Sequence, residues 1–325
     1  MSKKGVFVLA GLLVLIICLI SCCLVFVIAL SSDTQLSANE STLLPSGARD
    51  QTVAVIDLAG TISETPATSS SILNTQTTDM TSVVIDKLER ARKDSNVKAV
   101  LIRVNSPGGE VYATRKIYNK IIEVKNANKI VVVLMESQAA SGGYYASAPA
   151  DWIVASEMTM TGSIGVRFST YDMQELYKKI GVKEVNIANT EGKLKVMNDL
   201  SENSEGYKVM QSLANDYYDN FVTVVADGRK MSKEQVIKVA DGRIYSGKQA
   251  LNNGLIDQLG ELKEAADKSK ELANLDNPNF VVYQDQSNAF SMYNVSLLNL
   301  LVPEAKIISD KMSNGGLFAY YLMSY

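Results

Sequence analysis

The stretch 130-IVVVLMESQAASGGYYAS-147 decides how the rest of the chain is read. Six consecutive apolar residues, Ile130 to Met135, show no polar alternation, as expected of a strand buried on both faces. Ser141 follows six residues later, between alanines and glycines, where a short helix over about 141–149 is expected to begin. Working outward, helix and strand patterns alternate. Val84, Leu88 and Ala91 share one helical face, and 99-AVLIRV-104 reads as a strand. Ala113, Ile117, Ile121 and Val124 recur at helical spacing, and 152-WIVA-155 is a further strand. Upstream, 52-TVAVIDLAGTI-62 reads as a first strand and turn. Such alternation predicts an α/β fold of stacked βαβ units on a mainly parallel sheet.

Further along, Met173, Leu176, Tyr177 and Ile180 form an amphipathic helix that Gly181 should end. Ser232 and Gln235 have the spacing of a capping box. The polar Ser/Thr stretch 63–82 reads as a surface loop, with a substrate-binding lid as the alternative. Residues 31–50 read as a flexible stalk, 51–272 as the globular domain and 273–325 as an irregular extension ending in 315-GGLFAYYLMSY-325.

Residues 5–30 carry no charge, and Lys3 and Lys4 precede them. At roughly 1.5 Å per residue this stretch makes a helix of about 39 Å, enough to cross a core of roughly 30 Å with some tilt. The lysines place residues 1–4 in the cytoplasm and everything after residue 30 outside, as a single-pass membrane protein. A cleaved signal peptide would have a shorter apolar core. Leu19-Ile20-Ser21-Cys22 resembles a lipobox, but eight further apolar residues follow it. All three cysteines lie in this segment, so the outer part forms no disulfide.

Composition excludes several chemistries. The 325 residues include no histidine and have a formal net charge of −3. No basic excess points to nucleic acid. No cofactor is expected, and without His or an outer Cys there is no usual zinc site and no Ser-His pair. Two glycine-bearing turns nevertheless follow strands, where α/β sheets bind ligands: 105-NSPGG-109 and 141-SGG-143. Ser141 is either a helix cap or a nucleophile. If it is a nucleophile, the Gly142 N–H and the Gly109 N–H are the candidate oxyanion donors. The base must then be a lysine whose pKa burial has lowered to roughly 7–8, since at about 10.4 only about one molecule in 2,500 is neutral at pH 7. Residue chemistry alone does not choose among the lysines.

The motifs 57-DLAGTI-62, 103-RVNSPGGEV-111, 139-AASGGYYASAPAD-151, 161-TGSIGV-166, 241-DGRIYSGKQA-250 and 254-GLIDQLG-260 resemble, in order and spacing, the short Gram-positive form of the signal peptide peptidase A family. The resemblance implies a Clp protease/crotonase-like fold and a membrane-bound serine peptidase that degrades signal peptides left after secretion. It implies Ser141 as the nucleophile and a lysine within 189-NTEGKLKVMND-199 as the base. The family motif aligns Lys195, followed by Val196 where the family has Asp; an ungapped count gives Lys193. It further implies a ring-shaped homo-oligomer, an octamer, with each serine and lysine drawn from neighbouring subunits. Two other readings of the same motifs are a crotonase-like acyl-thioester enzyme and a catalytically silent membrane scaffold. The apolar tail 315–325 is read as packing on a neighbouring subunit, or alternatively as a pseudo-substrate for the cleft.

Overall fold

The computed structural model describes residues 40–42, 47–64, 79–169, 171, 173–183, 185, 201 and 204–283. The chain is α/β. Its strands are β1 (Glu40–Thr42), β2 (Ala48–Ala59), β3 (Val97–Ser106), β4 (Ile130–Ala140), β5 (Trp152–Ala155), β6 (Met160–Gly162), β7 (Ile244–Ser246), β8 (Gln258–Leu259) and β9 (Pro278–Tyr283). The helices are α1 (Met80–Lys93), α2 (Val111–Asn126), α3 (Gly142–Ser147), α4 (Gln174–Ile180), α5 (Glu205–Arg229), α6 (Lys233–Ile237), α7 (Gly247–Asn252) and α8 (Leu262–Leu272).

Parallel pairing runs β9–β2–β3–β4–β5–β8. The apolar runs explain the layering. Side chains alternate across a strand, so Ala54, Ile56, Val100, Ile102, Val131 and Val133 pack on one face with Val84, Leu88, Ile117 and Ile121 of α1 and α2. Val53, Val55, Ala99, Leu101, Val132 and Leu134 pack on the other with Ala265 and Ala266 of α8. A strand covered twice has no polar face to alternate, which is why 130–135 is continuous.

Charged motif residues lock this frame. Asp57 and Arg103 are direct neighbours on β2 and β3 and form a bidentate pair at 2.6 and 2.8 Å. The Asp151 carboxylate accepts from the Val131 N–H, and that of Asp257 accepts from the Ile153 N–H and pairs with Arg229. Glycine at 228 lets α5 lie against the turn after α3: a Cβ there would stand 2.2 Å from the Ala148 carbonyl oxygen. Alanine is the better helix former, but a backbone carbonyl has little room to yield. Gly228→Ala is therefore expected to destabilise by about 1–3 kcal/mol and to lower Tm in a thermal melt.

Several boundaries differ from the sequence reading. Residues 48–50, expected in the stalk, begin β2, and 278–283, expected in an irregular extension, form β9 and pair with β2. β9 is short and mixed in composition, so its membership depends on a partner at the other end of the domain. β4 does not stop at Met135 but runs to Ala140. Its polar residues Glu136, Ser137 and Gln138 sit where the pairing with β3 shifts, and they broke the apolar signal. The amphipathic helix expected from Met173 to Ile180 is α4, and Gly181 ends it at φ 73° as expected. Its apolar positions Leu176 and Ile180 are exposed, however, and no described residue buries them. The capping box at Ser232 and Gln235 is present. Among the described residues no helix is long and apolar enough to cross a membrane. The apolar segment 5–30, the tail 315–325 and most of the Ser/Thr stretch 63–82 lie outside the described residues.

Candidate active site

The site grows out of an irregularity in β4. Val104 of β3 faces Met135, but Ser106 faces Ala139, so β4 carries two extra residues between those points. Before the shift β4 pairs with β5; after it, Gln138–Ala140 pair with β6. The strand thereby carries Ser141 to the level of the Pro107-Gly108-Gly109 turn that follows β3.

Ser141 stands where β4 becomes α3. Its N–H donates to the Gly162 carbonyl of β6 at 2.8 Å, and its carbonyl accepts from the Tyr145 N–H at 2.9 Å. Ser141 is the single residue between strand and helix, and it takes φ 51°, ψ −118°. A side chain resists that region, at a cost of order 1–3 kcal/mol. Ser141 occupies the N-cap position, yet its side chain makes no capping hydrogen bond. Among the described residues nothing else engages its hydroxyl. Tyr144, fully buried, anchors the helix by donating to the Leu255 carbonyl at 2.8 Å.

The facing turn is held by Ile62. The Ile62 N–H donates to the Gly108 carbonyl and the Ile62 carbonyl accepts from the Glu110 N–H, a parallel bridge that flanks Gly109. In such a bridge the flanked residue directs its own N–H and C=O away from the partner strand. Gly109 thus points its N–H away from Ile62. Space also requires glycine here. A Cβ on Gly109 would stand 2.0 Å from the Ile62 carbonyl oxygen, one on Gly108 2.6 Å from the Gly142 nitrogen, and one on Gly142 3.3 Å from the Gly109 nitrogen. The two turns meet backbone to backbone. Gly142 opens α3, and the first N–H groups of a helix have no intrahelical acceptor.

Ser141, Gly108, Gly109 and Gly142 open on a cavity of about 1320 Å³. Val111 and Tyr112 of α2, Val166, and Tyr217, Tyr218 and Phe221 of α5 supply apolar walls. Asp241 lines it too, paired with Arg243, whose guanidinium holds the carboxyl below the usual range. No lysine is among the described lining residues; the cations there are Arg115 and Arg167. A smaller cavity of about 550 Å³ lies at the opposite, amino-terminal edge of β3 and β4, beside Val97 and Ile130.

Residues 123–276, which include Ser141 and its helix, match the model of Peptidase family S49. A protein of Enterococcus faecium carrying the name signal peptide peptidase SppA is 37% identical over 207 residues, 64% of this chain and 60% of that protein. Over residues 123–276 the chain is similar to peptidase family S49. A Methanocaldococcus jannaschii protein named as a protease is 41% identical over 206 residues, 63% of this chain and 65% of its own. The chloroplastic serine protease SPPA of Arabidopsis thaliana is 34% identical over 243 residues, 72% of this chain and 34% of its own. The chain thus spans less than two thirds of the length of these relatives.

Of the residues singled out in the sequence, Ser141, Gly109 and Gly142 come together where the two turns meet and line the cavity. Lys193 and Lys195 lie outside the described residues. Two features of this site had no sequence signal. Thr114 of α2 is buried with its hydroxyl unpartnered, beside Gly142. Arg115, Tyr145 and Asn220 form a cluster drawn from three helices. Neither follows a motif spacing; within the cluster the partners of Arg115 are 30 and 105 residues away.

Proposed function

We propose that this chain is a serine peptidase with a Ser-Lys dyad, anchored in the membrane by residues 5–30 with its catalytic domain outside the cell. One observation carries the reading: Ser141 is held in a strained strand-to-helix turn with its hydroxyl spared from capping and open to a large cavity. A serine serving only as a cap would adopt ordinary extended geometry and accept from the backbone, as Ser204, Ser232 and Ser246 do. The match of residues 123–276 to family S49 and the names that its relatives carry support peptide hydrolysis.

In this mechanism Ser141 Oγ attacks the scissile carbonyl carbon and its proton passes to a neutral lysine amine, that of Lys195 or alternatively Lys193. The Gly109 and Gly142 N–H groups hold the resulting oxyanion. The C–N bond then breaks, and the ammonium returns the proton to the leaving amine. Water, deprotonated by the same lysine, hydrolyses the acyl-enzyme. Arginine cannot be the base, because it stays protonated. The described cavity offers arginines and no lysine, which fits a base delivered from elsewhere in the chain or from a neighbouring subunit of a ring-shaped homo-oligomer with a Clp protease/crotonase-like fold. Anchoring by residues 5–30 would hold that chamber at the bilayer, where remnant signal peptides remain after secretion.

A crotonase-like acyl-thioester reaction would use the two N–H donors and leave Ser141 idle. A silent scaffold would leave both idle, and in either case the strain at Ser141 would serve nothing. The test is incubation of the full chain in detergent, in separate samples, with a synthetic apolar signal peptide and with a serine-directed phosphonate probe. Cleavage within the apolar stretch and covalent labelling of Ser141 are expected in mass spectra. An intact peptide with unlabelled Ser141 defeats the reading.

A further inference from the structure

The cavity wall carries a second polar cluster. Arg115 Nη1 donates to the Tyr145 hydroxyl at 2.8 Å and approaches Asn220 Oδ1 at 3.5 Å, and the Tyr145 hydroxyl donates to Asn220 Oδ1 at 2.6 Å. The Arg115 guanidinium also lies 4.8 Å from the Tyr118 ring centre. Tyr145 is 7% exposed and wedged edge-on between Tyr118 and Phe221, so the hydroxyl that positions Arg115 is itself fixed. Burial pushes the pKa of this phenol up, with Arg115 drawing it partly back, so Tyr145 remains a neutral donor.

Every described partner of Arg115 is neutral. Arg92, Arg103, Arg229 and Arg243 each meet a carboxylate. Arg115 meets none, and its Nε and Nη2 make no hydrogen bond among the described residues. A guanidinium presents a planar fork matched to a carboxylate, and charge-assisted bidentate pairs are the stronger hydrogen bonds. Here that fork is pre-oriented, half-buried and lines the cavity onto which Ser141 opens.

We propose that Arg115, set by Tyr145 and Asn220, is a subsite for the C-terminal carboxylate of the peptide substrate. The inference rests on the peptidase reading above. An apolar membrane remnant bears no acidic side chain, as residues 5–30 of this chain illustrate. Its one dependable carboxylate is the C-terminus created when a preceding endoproteolytic cut released it. An uncut precursor has no carboxylate at that place. Arg115 therefore selects the product of an earlier peptide-bond hydrolysis over intact precursors, and places this reaction second in a series.

The test uses the full chain in detergent, with Ser141→Ala for binding and wild type for turnover. One fluorescent apolar peptide is made in three forms: free acid, C-terminal amide, and amide with glutamate as the last residue. Anisotropy is expected to show the acid bound about 10- to 100-fold more tightly than the amide. Adding Arg115→Gln should bring that ratio to about one, and Arg115→Lys should keep part of it. Equal binding of acid and amide with Arg115 intact overturns the proposal without any variant, as does a preference that survives Arg115→Gln. Glutamate amide binding as well as the acid would overturn the terminal assignment in favour of a side-chain carboxylate. If wild type cleaves no peptide while the acid preference holds, the peptidase reading fails and the carboxylate subsite stands.

Discussion

Ser141→Ala is expected to reduce kcat/KM for peptide cleavage by at least about 10³-fold, because no other group in the proposed mechanism forms the acyl-enzyme. The same position yields a stability result that a purely structural serine would not. At ordinary positions glycine is less stable than alanine by roughly 0.5–1 kcal/mol. At φ 51°, ψ −118° the order should invert, since glycine relieves strain of order 1–3 kcal/mol that alanine retains. Ser141→Gly should therefore melt above Ser141→Ala, with both inactive. Residual cleavage by the purified Ser141→Ala protein at the wild-type rate would dispose of the nucleophile. A melting temperature for Ser141→Gly below that of Ser141→Ala would dispose of the strain argument and leave the chemistry to be judged by activity.

The second large effect concerns the base. Lys195→Ala is expected to lose about 10³-fold or more in kcat/KM, with Lys193→Ala keeping activity within about tenfold of wild type. The reverse pattern would move the role to Lys193. The pH profile has a definite sign, because the neutral amine is the active form. Below the lysine's pKa, kcat/KM should rise about tenfold per pH unit and then level off near roughly pH 7–8. Lys195→Arg should not rescue, since a guanidinium stays protonated at every pH of the assay. A profile that falls with rising pH over that range would mean that the protonated group is required, and the dyad would be wrong.

Much of the frame was legible because its cause is local. Ile130–Met135 had to be a twice-covered strand: six apolar residues in extended form expose both faces, and only a layered α/β arrangement buries both. The helical faces at Val84–Ala91 and Ala113–Val124 lie where their spacing put them. The nucleophile candidate was legible for a different reason. A serine among small residues and glycines marks a backbone turn too tight for larger side chains, and Gly108, Gly109 and Gly142 each meet a neighbour where a Cβ would go. The extension of β4 to Ala140 was not legible, since Glu136, Ser137 and Gln138 interrupt the apolar pattern while the strand continues to pair.

By itself, then, the amino-acid order determined the α/β class, the strands and helices of the central layers, and the small residues that allow two turns to touch. It also excluded histidine chemistry outright. Tertiary structure alone decided the β4 shift that brings Ser141 level with the Gly108-Gly109 turn, and the backbone strain at Ser141. It alone brought Arg115, Tyr145 and Asn220 together on the wall of the cavity. The physical reason is range. Periodicity and turn chemistry act over a few residues and leave their mark in the order of residues, whereas a hydrogen bond between groups 105 positions apart exists only once their two helices have packed.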